Sequence, residues 1–141
     1  MIPNVLGSAQ AGRQVMTATG TAAMRLTAAQ FVASSPFGPI MNIPANTAYN
    51  LQVRLVATDR TAPGNSYAWT LPIALLTRQA AVGTTALALG TPLVLSIGTG
   101  SGGAVAAVAD TANGGLSLTF TPPAGTDTWD AFADVASAEV Q

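Results

Sequence analysis

The stretch TAYNLQVRLVAT, residues Thr47 to Thr58, alternates apolar and polar side chains from Tyr49 to Leu55. Five of its apolar residues fall on alternate positions and so share one face of an extended chain: Tyr49, Leu51, Val53, Leu55 and Ala57. A period of two is the pattern of a β-strand that turns one face to the core and the other to solvent. The stretch therefore predicts a half-buried strand and points to a β protein.

The next stretch, NSYAWTLPIALLTR (residues 65–78), repeats the pattern after a Pro-Gly turn signal in DRTAPGN. Its aligned apolar residues are Tyr67, Trp69, Leu71, Ile73 and Leu75. Pro72 lies on the opposite phase. Because proline cannot donate to a strand ladder, it predicts an edge position or a bulge.

Strand-like runs continue along the chain as PLVLSI (92–97), AVAAVAD (104–110) and GGLSLTF (114–120). Asn113-Gly114 lies between the last two and predicts a tight hairpin turn, whose two central residues both need positive φ. Helix is expected only as a short piece near residues 26–35. This spacing of strands and turns predicts an all-β fold, a single antiparallel β-sandwich of jelly-roll type.

Within this single domain, residues 1–40 are expected to form an N-terminal arm and the first strands, and residues 41–141 the main β-sandwich. The segment MIPNVLGSAQAGRQVM lacks clean strand alternation, so we expect an extended arm that lies on a neighbouring subunit. The apolar residues of the arm best placed for such a contact are Ile2, Val5, Leu6 and Val15.

The composition excludes several classes of function. The chain has no cysteine and no histidine, and all five basic residues are arginines. Catalysis by histidine or cysteine and metal sites built on them are therefore excluded, and five dispersed arginines cannot form a nucleic-acid surface. No membrane span is predicted, because glycines and Pro92 interrupt the uncharged run from Gln79 to Ala109. No cofactor is expected.

The glycine-rich run IGTGSGGAV (97–105) has the composition of a phosphate-binding loop. Such a loop follows a strand, opens a helix and normally carries a lysine. This run lies between two strand-like runs, and the chain contains no lysine. We therefore predict a flexible hairpin loop and no nucleotide site.

The acidic stretch DTWDAFAD places Asp127, Asp130 and Asp134 around Trp129, and on a strand Asp130 and Asp134 share a face. Paired carboxylates can hydrolyse glycosides, and clustered carboxylates can bind calcium. The favoured alternative is a solvated strand face, so we expect neither an enzyme nor a metal site. The aromatic residues fit a sugar-stacking surface or, more simply, the core: Tyr49, Tyr67, Trp69 and Trp129.

Charged residues make up 8% of the chain, against about 25% in typical soluble domains. A surface so poor in charge predicts cover by other copies of the chain or by another protein, and hence a homo-oligomer. Arg54 and Arg78 lie on strands beside few acids. They are candidate pairing groups between subunits, or else simply exposed strand residues.

Three segments in a fixed order carry a resemblance: NIPANTAYNLQVRLVATDRTAPGNSYAWTLPIALLTR (42–78), DTANGGLSLTFTPPAGTDTW (110–129) and ASAEV (136–140). Over residues 42 to 140 they resemble a β domain of tailed-bacteriophage virion proteins, although the stretch after Trp129 is longer and more acidic than that pattern. The resemblance implies a structural or receptor-facing domain, commonly a trimer, on a tail fibre or on the outside of a capsid. It transfers no catalytic residue.

A small β domain in a virion fits a capsid decoration (cement) protein, which binds the major capsid protein or another virion protein on the outside of the shell as an oligomer. The alternative is a tail-fibre or spike tip, or an adaptor domain, that contacts a host surface glycan. Both alternatives imply localisation in the virion, on the capsid surface or the tail. Synthesis in the host cytoplasm is expected, because MIPNVLGSAQ shows no signal-peptide pattern.

Overall fold

The computed structural model describes residues 9–28, 41–125 and 127–140. Over these residues the chain forms antiparallel β-strands and two short 3₁₀ helices, Val82–Thr84 and Gly98–Gly102. In this described part, no helix is long and apolar enough to cross a membrane. The predicted all-β antiparallel fold is confirmed, and the jelly-roll connectivity within that class stays a prediction.

The strands are arranged in two sheets. In chain order they are β1 (Ala9–Gly20), β2 (Met24–Arg25), β3 (Thr27–Ala28), β4 (Met41–Asn42), β5 (Thr47–Asp59), β6 (Ser66–Arg78), β7 (Ala86–Leu89), β8 (Leu93–Ile97), β9 (Ala104–Asp110), β10 (Gly115–Thr121) and β11 (Trp129–Val140). The large sheet has the order β3-β1-β11-β5-β6, and β7 and β8 both pair along the far edge of β6. In the small sheet, β10 pairs with β9 on one edge and with β2 and β4 on the other.

One hydrophobic core lies between the two sheets. The inward residues of β5 are buried at every alternate position, as the alternation in the sequence predicts. Phe120 of β10 packs against Tyr67 of β6 and Trp129 of β11, with ring centroids 5.6 and 5.9 Å apart. Because these rings come from both sheets, they join the two layers. Tyr49 and Trp69 are buried as well, so both tyrosines and both tryptophans belong to the core.

β6 departs from the predicted alternation at a bulge. Leu51 pairs with Ala74, but Val53 pairs with Leu71, so β6 has one residue more than β5 between these two pairs. The extra residue falls beside Pro72, which has no N–H for the ladder, and the bulge predicted from this proline is confirmed.

The bulge reverses the phase of the rest of β6. Ala74 and Leu76 are buried, whereas Ile73 and Leu75 are at least half exposed. The predicted alignment of Ile73 and Leu75 with the core is therefore wrong. A one-residue insertion moves every later side chain to the opposite face of a strand, and a count with period two cannot register it.

Two expectations for the N-terminal region are corrected. From Ala9 onward the expected arm is instead β1, which pairs with β11 along its whole length. Within the expected helix, Leu26 donates its N–H to the carbonyl oxygen of Leu118 at 2.9 Å, and Thr27–Ala28 form β3. The rest of that segment, residues 29–35, lies outside the described residues.

The glycine-rich run connects β8 of the large sheet to β9 of the small sheet. It therefore crosses between the sheets and is not the hairpin loop that was predicted. Gly98 has a φ of 60°, and a Cβ on Gly100 would overlap the carbonyl oxygen of Ser66. Glycine is required here by tight backbone packing, since only glycine fits these two positions without strain.

β9 and β10 form the hairpin predicted around Asn113-Gly114. Gly114 donates its N–H to the carbonyl oxygen of Asp110 at 2.7 Å and so closes a four-residue turn. Gly114 has a positive φ of 77°, whereas Asn113 does not. The hairpin lies at the predicted position, but the predicted two-residue turn is wrong because the turn has four residues.

Candidate binding face

The solvent side of β1, β11 and β5, here termed the outer face, carries three of the four ion pairs among the described residues. These strands are neighbours, so their outward side chains line up in rows across the sheet. The register places Arg54 of β5 directly opposite Asp134 of β11, and Thr19 of β1 directly opposite Asp130 of β11. Asp130 and Asp134, which share a face, therefore each contact residues from distant parts of the chain.

Asp134 binds two arginines at once. Arg13 donates from Nε to Oδ1 at 2.6 Å and from NH2 to Oδ2 at 2.7 Å, which is a bidentate pair. Arg54 donates from NH2 to Oδ2 at 2.9 Å. The side chain of Asp134 is 8% exposed, while those of Arg13 and Arg54 are 66% and 65% exposed. The arginines therefore cover the carboxylate and present their own charge to solvent.

The hydrogen bonds from Arg13, followed by those from Arg54, lower the pKa of Asp134. Two guanidinium groups and one carboxylate leave an excess of one positive charge at this position on the outer face. Arginine in such a fixed, planar arrangement suits recognition of a carboxylate or a carbonyl on a partner surface.

Asp130 forms the second polar group of the outer face. Arg60 donates to it from Nε at 3.1 Å and from NH2 at 2.7 Å, and the hydroxyl of Thr19 donates to Oδ1 at 2.7 Å. These hydrogen bonds, that of Arg60 first, lower the pKa of Asp130. Because the pair is largely exposed, it adds little to stability and is available for contact with a partner.

Apolar surface separates the two polar groups. Phe132 lies between Asp130 and Asp134 along β11, and Val56 of β5 lies directly opposite it. Both side chains are about half exposed. A shallow open cavity of about 340 Å³ lies at this point, lined mainly by Thr17, Thr19, Val56, Thr58, Asp130 and Phe132. The outer face thus combines an apolar centre with hydroxyl and charged groups around it, as protein interfaces do.

The same geometry bears on the acid-pair interpretation of DTWDAFAD. Asp130 and Asp134 do share a face, as predicted, but it is the face opposite to that of the buried Trp129. Arginines bind both carboxylates and lower both pKa values, whereas a glycosidase general acid requires a raised pKa. Asp127 is exposed ahead of β11. Within the described ranges, no three acidic residues are grouped to hold a metal ion.

Arg54 and Val15 of the predicted subunit contacts lie on the outer face, where both are opposite Asp134. Arg78 lies elsewhere. It donates from NH1 to the carbonyl oxygen of Ile43 at 2.6 Å and packs over Gly114, so it joins β6 to the small sheet. The remaining predicted contacts, Ile2, Val5 and Leu6, lie outside the described residues. The role of this set between subunits stays a prediction.

Asp110 organises the small sheet on the opposite side. Its carboxylate accepts hydrogen bonds from the N–H groups of Ala112 and Asn113, from the side-chain amide of Asn113, and from NH2 of Arg25 at 2.6 Å. Burial alone would raise the pKa of Asp110, but the hydrogen bonds from Arg25 and Asn113 outweigh it and lower the pKa to about 2. This arrangement stabilises the β9–β10 turn. The donors that bind the Asp110 carboxylate all belong to the chain itself.

A second surface, the β8 edge (Leu93–Ile97), lies on the free side of the large sheet. Leu93, Leu95 and Ile97 point outward and are 64%, 77% and 68% exposed. Val94 lies on the inner side, opposite the buried Trp69, and yet is 51% exposed. β8 therefore extends beyond the cover of the small sheet and presents apolar side chains on both faces.

Several residues of these two surfaces belong to no motif in the sequence. Arg13 and Arg60 are two of the five arginines in a chain with six acidic residues, and their positions in the sequence do not show which acid each one contacts. The location of Phe132 on the outer face follows from the alternation along β11, because Phe132 lies two positions from Asp134. The exposure of Leu95 had no signal in the sequence, since an apolar strand is ordinarily a buried one.

In comparisons with known proteins, no family model matches this chain and no curated protein matches it.

Proposed function

We propose that this protein is a structural component of a bacteriophage virion, a capsid decoration protein that binds the outside of the shell as an oligomer. The sequence resemblance over residues 42 to 140 suggests the virion, and the β fold agrees with a domain of that kind. The observation that carries the proposal is the β8 edge, because a free monomer rarely exposes contiguous apolar side chains on both faces of an edge strand.

Binding on this proposal is by surface complementarity. The outer face has its charged groups already fixed by the chain itself, since Asp134 holds Arg13 and Arg54 in place. Ordering these long side chains before contact lowers the entropy lost when a partner binds. The apolar centre at Phe132 and Val56 supplies area to bury, and the excess guanidinium group supplies donors for a partner's carboxylate or carbonyl groups.

The alternative is a tail-fibre tip or adaptor domain that contacts a host surface glycan. The cavity beside Phe132 favours it, because the cavity combines an aromatic ring, threonine hydroxyls and the carboxylate of Asp130. Sugars are held by apolar stacking on aromatic rings together with hydrogen bonds to such groups. Neither function requires a catalytic residue, a metal or a cofactor.

Copy number and location in the particle test the proposal. Purified phage particles are analysed by quantitative mass spectrometry against the major capsid protein, and the protein is located by gold-labelled antibody in electron micrographs. A decoration protein is expected in hundreds of copies over the shell. A few tens of copies or fewer, located at the tail, would instead support the tail-fibre tip or adaptor domain. Absence from purified particles would refute both proposed functions.

The outer face is tested separately with capsids stripped of the protein. Phe132→Ser is expected to weaken co-sedimentation with capsids, because it removes the apolar centre of the face. Val108→Ser, on the exposed side of β9 and away from the outer face, is the matched control and is expected to bind like the unmodified protein. Equal binding by both variants would exclude the outer face as the contact with the shell.

A further inference from the structure

The side chains of the outer face form rows that run across β1, β11 and β5. Three consecutive rows, each given in that strand order, are Val15, Asp134 and Arg54; Thr17, Phe132 and Val56; and Thr19, Asp130 and Thr58. Each row is two residues from the next along every strand, which is about 7 Å in an extended chain. A charged row and an apolar row are therefore neighbours at the spacing of alternate residues.

The first row carries a positive charge that the outer face does not balance. The three ion pairs of this face involve three arginines and two aspartates and so have a net charge of +1, whereas the whole chain has a net charge of −1. Arg60 balances Asp130, which leaves the excess at Asp134 with Arg13 and Arg54. This distribution of charge favours an anionic partner at one position on the sheet.

Both arginines of the first row retain hydrogen-bond donors for a ligand. Arg13 binds Asp134 through Nε and NH2, so both N–H groups of NH1 stay available. Arg54 binds Asp134 through NH2, and its Nε and NH1 make no hydrogen bond within the described part of the chain. A guanidinium group that is held in place and still has open N–H groups can bind a second carboxylate through two parallel hydrogen bonds.

The second row offers an apolar binding position beside these donors. Phe132 and Val56 are 44% and 50% exposed and line the cavity of about 340 Å³. They lie two residues along their strands from Asp134 and Arg54. In an extended partner segment, side chains two positions apart point to the same side and have a similar separation. One segment can therefore reach the arginines and the cavity at the same time.

We propose that the outer face binds an extended acidic segment of another protein, in which a carboxylate side chain lies two positions from an apolar side chain. The carboxylate binds Arg13 and Arg54, and the apolar side chain enters the cavity beside Phe132. Recognition of acidic motifs by arginine clusters is a recurrent mode of peptide binding. The inference rests on the proposed function, in which the protein binds a virion partner, and it gives the chemistry of that partner.

Other classes of partner fit these two positions less well. Nucleic acid requires several positive charges in line, whereas the outer face has an excess of one. An acidic glycan supplies carboxylates but no aliphatic side chain for the cavity. A second copy lacks the pattern: of the acidic residues that the structure describes, Asp127 alone is exposed and not bound by an arginine, and Trp129, two positions further on, is buried.

Synthetic peptides test the pattern directly. The probe is a capped, serine-rich peptide with glutamate and leucine two positions apart, titrated into isotopically labelled protein and followed by NMR. Chemical-shift changes are expected at the two arginines, Val56 and Phe132, and not at Val108 on the small sheet. A peptide with glutamine in place of glutamate is expected to bind about fivefold more weakly. A peptide with glutamate and leucine adjacent should weaken similarly, because the two side chains then point to opposite sides.

Arg54→Gln tests the same contact from the side of the protein. Asp134 keeps its two hydrogen bonds from Arg13 in this variant, so the fold is expected to persist, as circular dichroism will show. Affinity for the glutamate peptide should fall about fivefold, while affinity for the glutamine peptide should not change. Val108→Glu is the control, because it changes the net charge by the same amount at an exposed position of β9. It is expected to bind both peptides like the unmodified chain.

Three results would overturn the inference. The first is the absence of shifts on the outer face at about 5 mM of the glutamate peptide. The second is equal binding of the glutamate and glutamine peptides, or of the two spacings. The third is tighter binding of a galacturonate oligomer, which would assign the face to an acidic glycan.

The peptide titration and the location of the protein in the particle have separate outcomes. If the glutamate peptide binds as expected but the protein is absent from purified phage particles, the inference stands and the decoration function is refuted. Hundreds of copies on the shell without peptide binding would give the reverse result.

Discussion

Asp134 of β11 and Arg54 of β5 lie directly opposite each other, and NH2 of Arg54 donates to Oδ2 of Asp134 at 2.9 Å. Arg13 reaches the same carboxylate from β1 on the other side, so one acid connects three neighbouring strands. The carboxylate of Asp134 is buried beneath the two arginines, which are themselves exposed. Removal of the negative charge on Asp134 would therefore leave two guanidinium groups facing each other on the outer face.

Asp134→Asn is therefore expected to destabilise the fold. Asp134 accepts charge-assisted hydrogen bonds from two arginines, whose exposure to solvent reduces their contribution, so we expect Tm to fall by about 5 °C. Asp127→Asn makes the same change of charge at an exposed position ahead of β11 and is expected to leave Tm almost unchanged. Thermal melting by circular dichroism compares the two. Equal melting temperatures would show that the three-strand connection contributes nothing.

Stability is expected to fall in acid because the folded chain lowers the pKa of Asp110 to about 2, against about 3.9 when unfolded. A carboxyl with a lowered folded pKa contributes stability that is complete above the unfolded value and is lost as pH falls through the folded value. Tm should therefore be nearly constant from about pH 7 to 5 and should fall between about pH 4 and 2.

Asp110→Asn isolates this contribution. The variant is expected to melt lower than the unmodified chain at neutral pH and to approach it at about pH 1, below both pKa values, where Asp110 is protonated in the folded and the unfolded chain. The same melting experiment, repeated along the pH series, provides the measurement. A constant difference between the two chains at every pH would show that the charge on Asp110 is not the source.

Gly114→Ala is expected to destabilise the β9–β10 hairpin. Gly114 has a φ of 77°, which costs about 1–2 kcal/mol for a residue with a Cβ, and that Cβ would lie 2.9 Å from NH1 of Arg78. Gly64→Ala in the loop before β6 meets no atom within 4 Å and is expected to be neutral or slightly stabilising. Urea unfolding of both variants tests the difference, and equal midpoints would contradict it.

Two truncations separate folding from attachment. Removal of residues 1–8 leaves all described strands intact and is expected to preserve the fold, while capsid binding is lost if Ile2, Val5 and Leu6 anchor the domain. Removal of residues 1–15 also deletes Arg13 and the part of β1 that pairs with β11 from Val140 to Asp134, so the fold itself is expected to weaken. Circular dichroism and co-sedimentation with capsids measure the two effects. Undiminished binding by the shorter truncation would exclude the anchor.

The sequence is sufficient to predict β5, the β9–β10 hairpin and the bulge at Pro72, because each depends on residues close together in the chain. It does not predict the exposure of Leu75, since the bulge shifts the phase of β6 by one residue. Nor does it predict the pairing of Arg13 with Asp134, which requires the order of strands in the sheet. Strand order and register depend on packing across the whole domain, and periodicity contains no information about them.

β1 and β11 are adjacent in the large sheet although nearly the whole described chain separates them. During synthesis, the β5–β6 hairpin and the strands that follow it can pair as they leave the ribosome, but β1 must wait for β11 before its main partner exists. Contacts so distant in sequence form slowly because a long loop must close first. The nascent domain is therefore expected to expose β1 and the free edge of β5 until β11 has emerged, which makes this interval the one in which a chaperone would be needed.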